Sequence, residues 1–516
     1  MLCICVFFVL CVAIVNCDVP CAARHVRGEA VVCVCNSTYC DTVTAHVPSR
    51  GTYIAYTSSE SGLRFSKTTG VLKKFDYFST CCSVTLELDV DTQYQTIEGF
   101  GGAVTDSAGI NWKSLSEPTQ KHLINSYFSS TGIEYNMLRV PIGGSDFSTH
   151  AYAYNELPEN DVELRNFSLS IEDYHYKLPL IKQAMEVSTS PIDIIATAWS
   201  PPPWMKTNHA YTGHSQLKPE YYQTFANYHY KFLEEYKKHG VSIWAVTTNN
   251  EPISGTLPDV INSLGWTAKN MGKWIVENLG PTIRNSTFKD VKIIIAEEQR
   301  LFLPYIVNAM IMSNPKALEY IDGIGVHYYT NMIIPALILS EINKQYPHMF
   351  IIASEACEGG LIWQAQPVVF GSWRRAQNYI KYIIEDLNNN LVGWLDWNIC
   401  LDEKGGPNWS QNYADSPILV NAERDEFYKQ PLFYAMGHFS KFIPRNSKRI
   451  KVVQKKFILE QGVENVAFLT PRNTIVVVLH NNGHPKTVRI KIGNKQIVEQ
   501  MERGSITTIE FPNAAS

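Results

Sequence analysis

Beyond its first seventeen residues the chain has no uninterrupted apolar run of about 18 residues, so the remaining sequence holds no membrane-spanning helix. It also lacks any polybasic or polyacidic tract, and its formal net charge is only −4. The clustered cationic face expected of a nucleic-acid-binding protein is therefore missing. There is no HExxH, no nucleophile elbow presenting a serine to a histidine, and no glycine-rich phosphate loop, which sets aside the chemistries those motifs carry. The GFGG of residues 99–102 does not fit the dinucleotide pattern and reads as a tight packing turn. No internal repeat or low-complexity tract stands out. Charged residues are scarce at 18%, against 45% hydrophobic, a balance that supplies a large core and excludes extended disorder.

What is present begins with MLCICVFFVLCVAIVNC, an apolar run of signal-peptide length that ends in small residues. It has no Lys or Arg, so the chain's own amino group must supply the positive end. Residues 1–17 are the expected signal. Four of the twelve cysteines lie within it, and four more cluster at Cys21, Cys33, Cys35 and Cys40. In a secretory chain this cluster predicts two disulfides; the competing reading, a zinc site, lacks a nearby CxxC pair and has only His25 close by. Sequons at Asn36, Asn166, Asn285 and Asn408 agree with passage through a glycosylating compartment. Cys81, Cys82, Cys357 and Cys400 have no evident mates and read as buried thiols.

At 516 residues, two or more domains are expected. Between about residues 97 and 398, short apolar strands alternate with longer helical stretches. Eight strand candidates begin at Glu98, Tyr135, Ile192, Ile243, Val291, Ile321, Phe350 and Leu391, mostly spaced widely enough for crossover helices. The fold class is α/β, with a (β/α)8 barrel over residues 95–398 plus 431–446. Residues 47–94 plus 447–516 carry β-branched runs between turn signals and predict a β-sandwich built from both chain ends. Residues 18–46 plus 399–430 are expected to form a small disulfide-bonded β element.

A barrel of this kind places its chemistry at the C-terminal ends of its strands. Those ends carry Asp106, Arg139, Asp146, Trp199, Asn250, Glu251, Glu297, Glu298, His327, Tyr329, Glu355 and residues 396–398, a set rich in carboxylates, amides and aromatic rings. Glu251 ends strand four, where an apolar run stops abruptly at NNEP, and Glu355 ends strand seven. Two carboxylates facing each other across a barrel mouth are what glycoside cleavage requires, one to donate a proton and one to support charge at the sugar carbon. Either glutamate taken alone is as readily a solvated loop residue.

NNEP, IIASEAC, EGFGGAVTD, VHYY, GWLDWN and GGPNW together resemble glycoside hydrolase family 30, and the likeness runs over nearly the whole chain after the signal. The resemblance implies a retaining β-glucosidase that cleaves glucosylceramide in membranes, with Glu251 as acid/base and Glu355 as nucleophile. It implies that Asn250 binds the 2-hydroxyl, that Asp146, Trp199, Trp397 and Asn412 hold the glucose, and that Arg139, His327 and Tyr329 surround the two glutamates. No metal or organic cofactor is implied. Anionic lipids and a saposin-type activator are the implied partners and the lysosomal lumen the implied location, with secretion as the alternative. Leu361, Ile362 and Trp363 suit either shallow insertion into a bilayer surface or ordinary packing of a lid over the site. The chain departs from the family pattern at Tyr328, where a tryptophan is expected, and at Glu297 and Glu298, where aspartates are usual. Two rivals remain open at this point: a secreted relative cutting xylan or glucan, and a catalytically silent carbohydrate-binding protein.

Overall fold

A computed structural model describes residues 18–76, 82–258, 260–361, 364–456 and 460–513. All eight expected strands form. They are β1 (Gly99–Ala103), β2 (Met137–Ile142), β3 (Asp193–Ala198), β4 (Ala245–Thr247), β5 (Lys292–Gln299), β6 (Gly323–His327), β7 (Phe350–Glu355) and β8 (Leu391–Asn398). Each pairs in parallel with the next and β8 pairs with β1, which closes the barrel. Most of these residues are buried on both faces, inside against the barrel core and outside against helices, which is why the strands read as continuous apolar runs. Residues 99–102 are not a turn but strand β1. A side chain at Gly101 would meet the Met137 carbonyl oxygen at 1.9 Å, so glycine is required there by the close approach of β2.

Strands from both chain ends interleave in a second sheet. Its centre runs Ser505–Pro512, Thr474–Asn481, Glu464–Leu469, Lys448–Lys456, Val84–Thr96 and Lys486–Ile492, so neither end could hide its edges alone. A third sheet joins Val32–Asn36 to Glu426–Lys429, Ile418–Asn421 and Leu401–Asp402. Beside it, Cys21 pairs with Cys33 and Cys35 with Cys40, so the cluster holds disulfides and leaves no thiolate for zinc. Cys357 and Cys400 are buried free thiols, as expected. Cys82 is instead disulfide-bonded, which corrects its reading as a thiol. Cys81 and the 1–17 signal lie outside the described residues. Among the described residues no helix is long and apolar enough to cross a membrane.

Candidate active site

The C-terminal ends of the barrel strands converge on a cavity of about 380 Å³ lined by Asp146, Phe147, Trp199, Asn250, Glu251, Gln299, Tyr329, Glu355, Trp397 and Asn412, with Ile261, Thr330, Ile333 and Leu361 among its further walls. At its floor lies Arg139, fully buried on β2. One guanidinium nitrogen donates to Glu355 Oε2; the other donates to Glu297 Oε2 at 2.5 Å and Asn250 Oδ1 at 2.7 Å. The guanidinium also lies against the stacked indoles, 4.8 Å from the ring centre of Trp199 and 5.3 Å from that of Trp397. Burial alone would push the Glu297 carboxyl up, but Arg139, His327 and Ser354 together outweigh it and hold it down at about 2.

Glu355 is buried and fixed at both oxygens, because Tyr329 donates its hydroxyl to Oε1 at 2.7 Å while Arg139 holds Oε2. Glu251 is partly exposed to the cavity. Its Oε1 accepts from Gln299 Nε2 at 2.7 Å and lies 2.9 Å from His327 Nδ1, and its Oε2 accepts from Ser254 at 3.2 Å. Burial opposes a charge on His327, yet the carboxylates of Glu355, Glu251 and Glu297 raise it to about 10, so the ring is protonated at neutral pH and donates to Glu251. Glu251 sits at φ +41°, in the left-handed region that a glutamate seldom occupies. Such backbone costs about 1–3 kcal/mol and persists where a site requires a particular aim. The abrupt stop at NNEP thus serves to turn Glu251 out of β4 into the cavity.

The closest carboxylate oxygens of Glu251 and Glu355 lie within 4.8 Å of one another, each also within that distance of His327. Two acids this near leave no room for a water between them and match the spacing of retaining glycosidases, about 5–5.5 Å, rather than the wider inverting pair. As a cation site the trio is poorly suited, since a protonated imidazole offers no lone pair and Glu355 is already ion-paired.

Deeper in the cavity Trp199 and Trp397 stack at 5.1 Å with planes 17° apart, and Phe147 meets Trp397 edge-on. Asp146 accepts from Asn412 Nδ2 at 3.3 Å and from Asn408 Nδ2 at 3.4 Å. Burial, aided by the negative charge of Glu355, raises its carboxyl to about 7. Asn408 is buried, with its Nδ2 on Asp146 and the Asn412 carbonyl and its Oδ1 accepting from Ser410 and Asn412. A glycan attached at that nitrogen would break the cavity wall, which corrects the reading of Asn408 as a surface sequon. Asn166 and Asn285 are exposed, and Asn36 is partly exposed with its Nδ2 turned away from the turn its Oδ1 caps.

Of the strand-end residues, Asp146, Trp199, Asn250, Glu251, Tyr329, Glu355 and Trp397 line this cavity, with Arg139 and His327 bonded to its glutamates. Three further residues were not given roles. Gln299 bridges the two halves, donating to Glu251 and accepting from the Tyr329 amide at 3.1 Å. Glu297 is the second carboxylate on Arg139. Glu298 turns the other way and accepts from the Ile253 amide at 2.9 Å, and burial together with the Glu251 charge raises its carboxyl. A bulge between Ala296 and Glu298 decides which of these consecutive side chains points inward, and periodicity cannot place a bulge. Asp106 binds Ser148, Tyr152 and Lys177 away from the cavity, and Asp396 is buried against the Tyr379 hydroxyl; both are structural. Leu361 lines the cavity mouth, whereas Ile362 and Trp363 lie outside the described residues.

Comparison with known proteins agrees with this geometry. The model of the glycosyl hydrolase family 30 TIM-barrel domain matches residues 97–443, and that of the glycosyl hydrolase family 30 beta sandwich domain matches residues 446–509. The chain is 42% identical over 469 residues to lysosomal acid glucosylceramidase of Mus musculus, covering 90% of this chain and 89% of the mouse protein. It is 40% identical over 427 residues to putative glucosylceramidase 3 of Caenorhabditis elegans, covering 81% of each. Among solved structures, SrfJ of Salmonella typhimurium superposes with a TM-score of 0.81 at 24% identity, over 89% of this chain and 99% of that one, a likeness of fold.

Proposed function

Because the chain belongs to glycoside hydrolase family 30 and is a glycoside hydrolase acting on β-glucosides, we propose that it cleaves glucosylceramide to glucose and ceramide by double displacement. The observation that carries the mechanism is the approach of the Glu251 and Glu355 carboxylates to within 4.8 Å across the cavity. Glu251 protonates the glycosidic oxygen as Glu355 attacks the anomeric carbon, so the bond to ceramide breaks as a glucosyl ester forms. Glu251, now a carboxylate, takes a proton from the water that attacks the same carbon, releasing glucose and freeing Glu355.

The surroundings support these roles. Arg139 and Tyr329 fix both oxygens of Glu355, which aims the nucleophile before substrate arrives. Gln299 and His327 hold Oε1 of Glu251, and Ser254 holds its Oε2. Asn250 spends its carbonyl oxygen on Arg139, which leaves its amide hydrogens for the sugar 2-hydroxyl, a contact that strengthens in the oxocarbenium-like transition state. Asp146 and Asn412 offer polar groups, and Trp199 and Trp397 flat faces, to the rest of the glucose ring.

The lipid half of the substrate fits the outer end. Ile333, which lines the cavity, is largely exposed, and Leu257, Met332 and Leu337 are exposed in the same connections. Such apolar side chains suit work at a bilayer surface, with anionic lipids and a saposin-type activator as the partners and the lysosomal lumen as the place of action. Glucose release from glucosylceramide in anionic-lipid vesicles at mildly acidic pH tests this reading, with Glu355→Gln, galactosylceramide and xylan as controls. Release that Glu355→Gln lowers by a factor on the order of 10⁴ or more is expected. Cleavage of xylan with none of the lipid would overturn the substrate, and silence on every glycoside would overturn the enzyme.

A further inference from the structure

Leu361 stands between the outer end of the cavity and a neighbouring one. Gly360 and Leu361 line the catalytic cavity, and Leu361 also lines a second cavity of about 540 Å³ bounded by Tyr328, Glu358, Gln364, Asn378 and Tyr382.

What holds it is a carboxylate. Glu358 is fully buried three residues after Glu355. It accepts from the Tyr328 hydroxyl, from Gln364 Nε2 and from Asn378 Nδ2 at 3.1 Å, and among the described residues it forms no ion pair. Gln364 in turn accepts from the Gly359 amide and donates its backbone amide to the Leu361 carbonyl at 2.8 Å, so the carboxylate is tied through Gln364 to Gly359 and to Leu361. Gly359, at φ +84°, is pressed against the Pro367 carbonyl, where any side chain would clash at 1.8 Å. Tyr328 itself does not enter the catalytic cavity. Its hydroxyl is spent on Glu358, and its neighbours His327 and Tyr329 are the residues that contact Glu251 and Glu355.

The deep end of the cavity is aromatic and polar and the outer end is apolar, at Ile261, Ile333 and Leu361. We propose that Glu358 is a positioning residue for the aglycone: its hydrogen bonds set the place of Leu361 and with it the fit of the leaving group, while glucose binding and bond cleavage proceed elsewhere. This rests only on β-glucoside hydrolysis, not on the identity of the lipid.

The test compares methylumbelliferyl β-glucoside with octyl and dodecyl β-glucosides below their micelle concentrations, for wild type, Glu358→Gln and Tyr328→Phe. Loss of a buried hydrogen bond to a charged group predicts that Glu358→Gln raises KM for the long alkyl glucosides about tenfold with kcat little changed, and leaves the small aryl glucoside unchanged. Tyr328→Phe, which removes one donor at nearly constant volume, shifts the same ratio in the same direction by less, and it decides the matter if Glu358→Gln fails to fold. An equal loss on all three substrates, or no change in any, overturns the proposal. Failure of wild type on glucosylceramide would leave this comparison intact and fall on the substrate reading alone.

Discussion

Two clusters of buried charge lie in the same barrel, and they are built on opposite terms. Around Lys177, the carboxylates of Asp106 and Asp173 stand 3.6 and 2.9 Å from the ammonium. Asp173 is further satisfied by hydroxyls of Tyr154, Tyr236 and Ser170, and Asp106 by those of Ser148 and Tyr152. None of these residues lines the catalytic cavity. Around Arg139 and His327, three carboxylates compete for two cations, one of them sits on strained backbone, and the whole opens onto a cavity walled by stacked indoles. Buried charge alone therefore does not mark an active site. Each cluster holds one carboxylate more than it has cations; what sets the second apart is the strained backbone of Glu251 and the cavity its charge faces.

The difference can be broken from the structural side first. Lys177→Met leaves two buried carboxylates without their cation and is expected to cost about 3–5 kcal/mol of stability, seen as a lower midpoint in urea unfolding. Turnover per folded molecule should stay at the wild-type level. A loss of turnover in fully folded protein would mean that the two clusters are coupled.

A smaller effect sharpens the comparison from the catalytic side. The carboxyl of Asp146 is raised from 3.8 to about 7 by burial and by Glu355, so between those pH values the folded state keeps a proton that the unfolded state has lost. Its presence is neutral to stability below about pH 4, and stability is lost as pH rises towards 7. Asp146→Asn removes that dependence. The melting temperature of the variant should match wild type near pH 4 and exceed it by about a few degrees at pH 7, while activity falls at both. A gain that is constant with pH would contradict the assignment.

Much of this was legible in the sequence, for reasons that can be named. The eight barrel strands are buried on both faces, so they appear as apolar runs, and the residue at which each run stops is the residue at the barrel mouth. Glu251, Glu355, Arg139 and His327 were found that way. What escaped has equally physical causes. The order Glu297, Glu298, Gln299 follows a bulge, which reverses the inward and outward sense of consecutive side chains without leaving a sequence mark. Asn408 carries a sequon in a stretch that looks like a surface loop, but Asp146, more than two hundred residues away, draws its amide inward. Cys82 has no mate that spacing could reveal. The distinction between Asp106 and the pair Glu251 and Glu355 also needed coordinates, because only the glutamates line the cavity.

The central claim is that Glu355 is the nucleophile of a retaining reaction. Incubation with 2-deoxy-2-fluoro-β-glucosyl fluoride tests it most directly, since the fluorine slows both steps while the good leaving group lets the first proceed. Intact mass followed by peptide mapping should show one fluoroglucosyl group per chain, on the peptide bearing Glu355 and absent in Glu355→Gln. A label on any other residue would contradict the account, as would an unlabelled enzyme that releases sugar of inverted configuration.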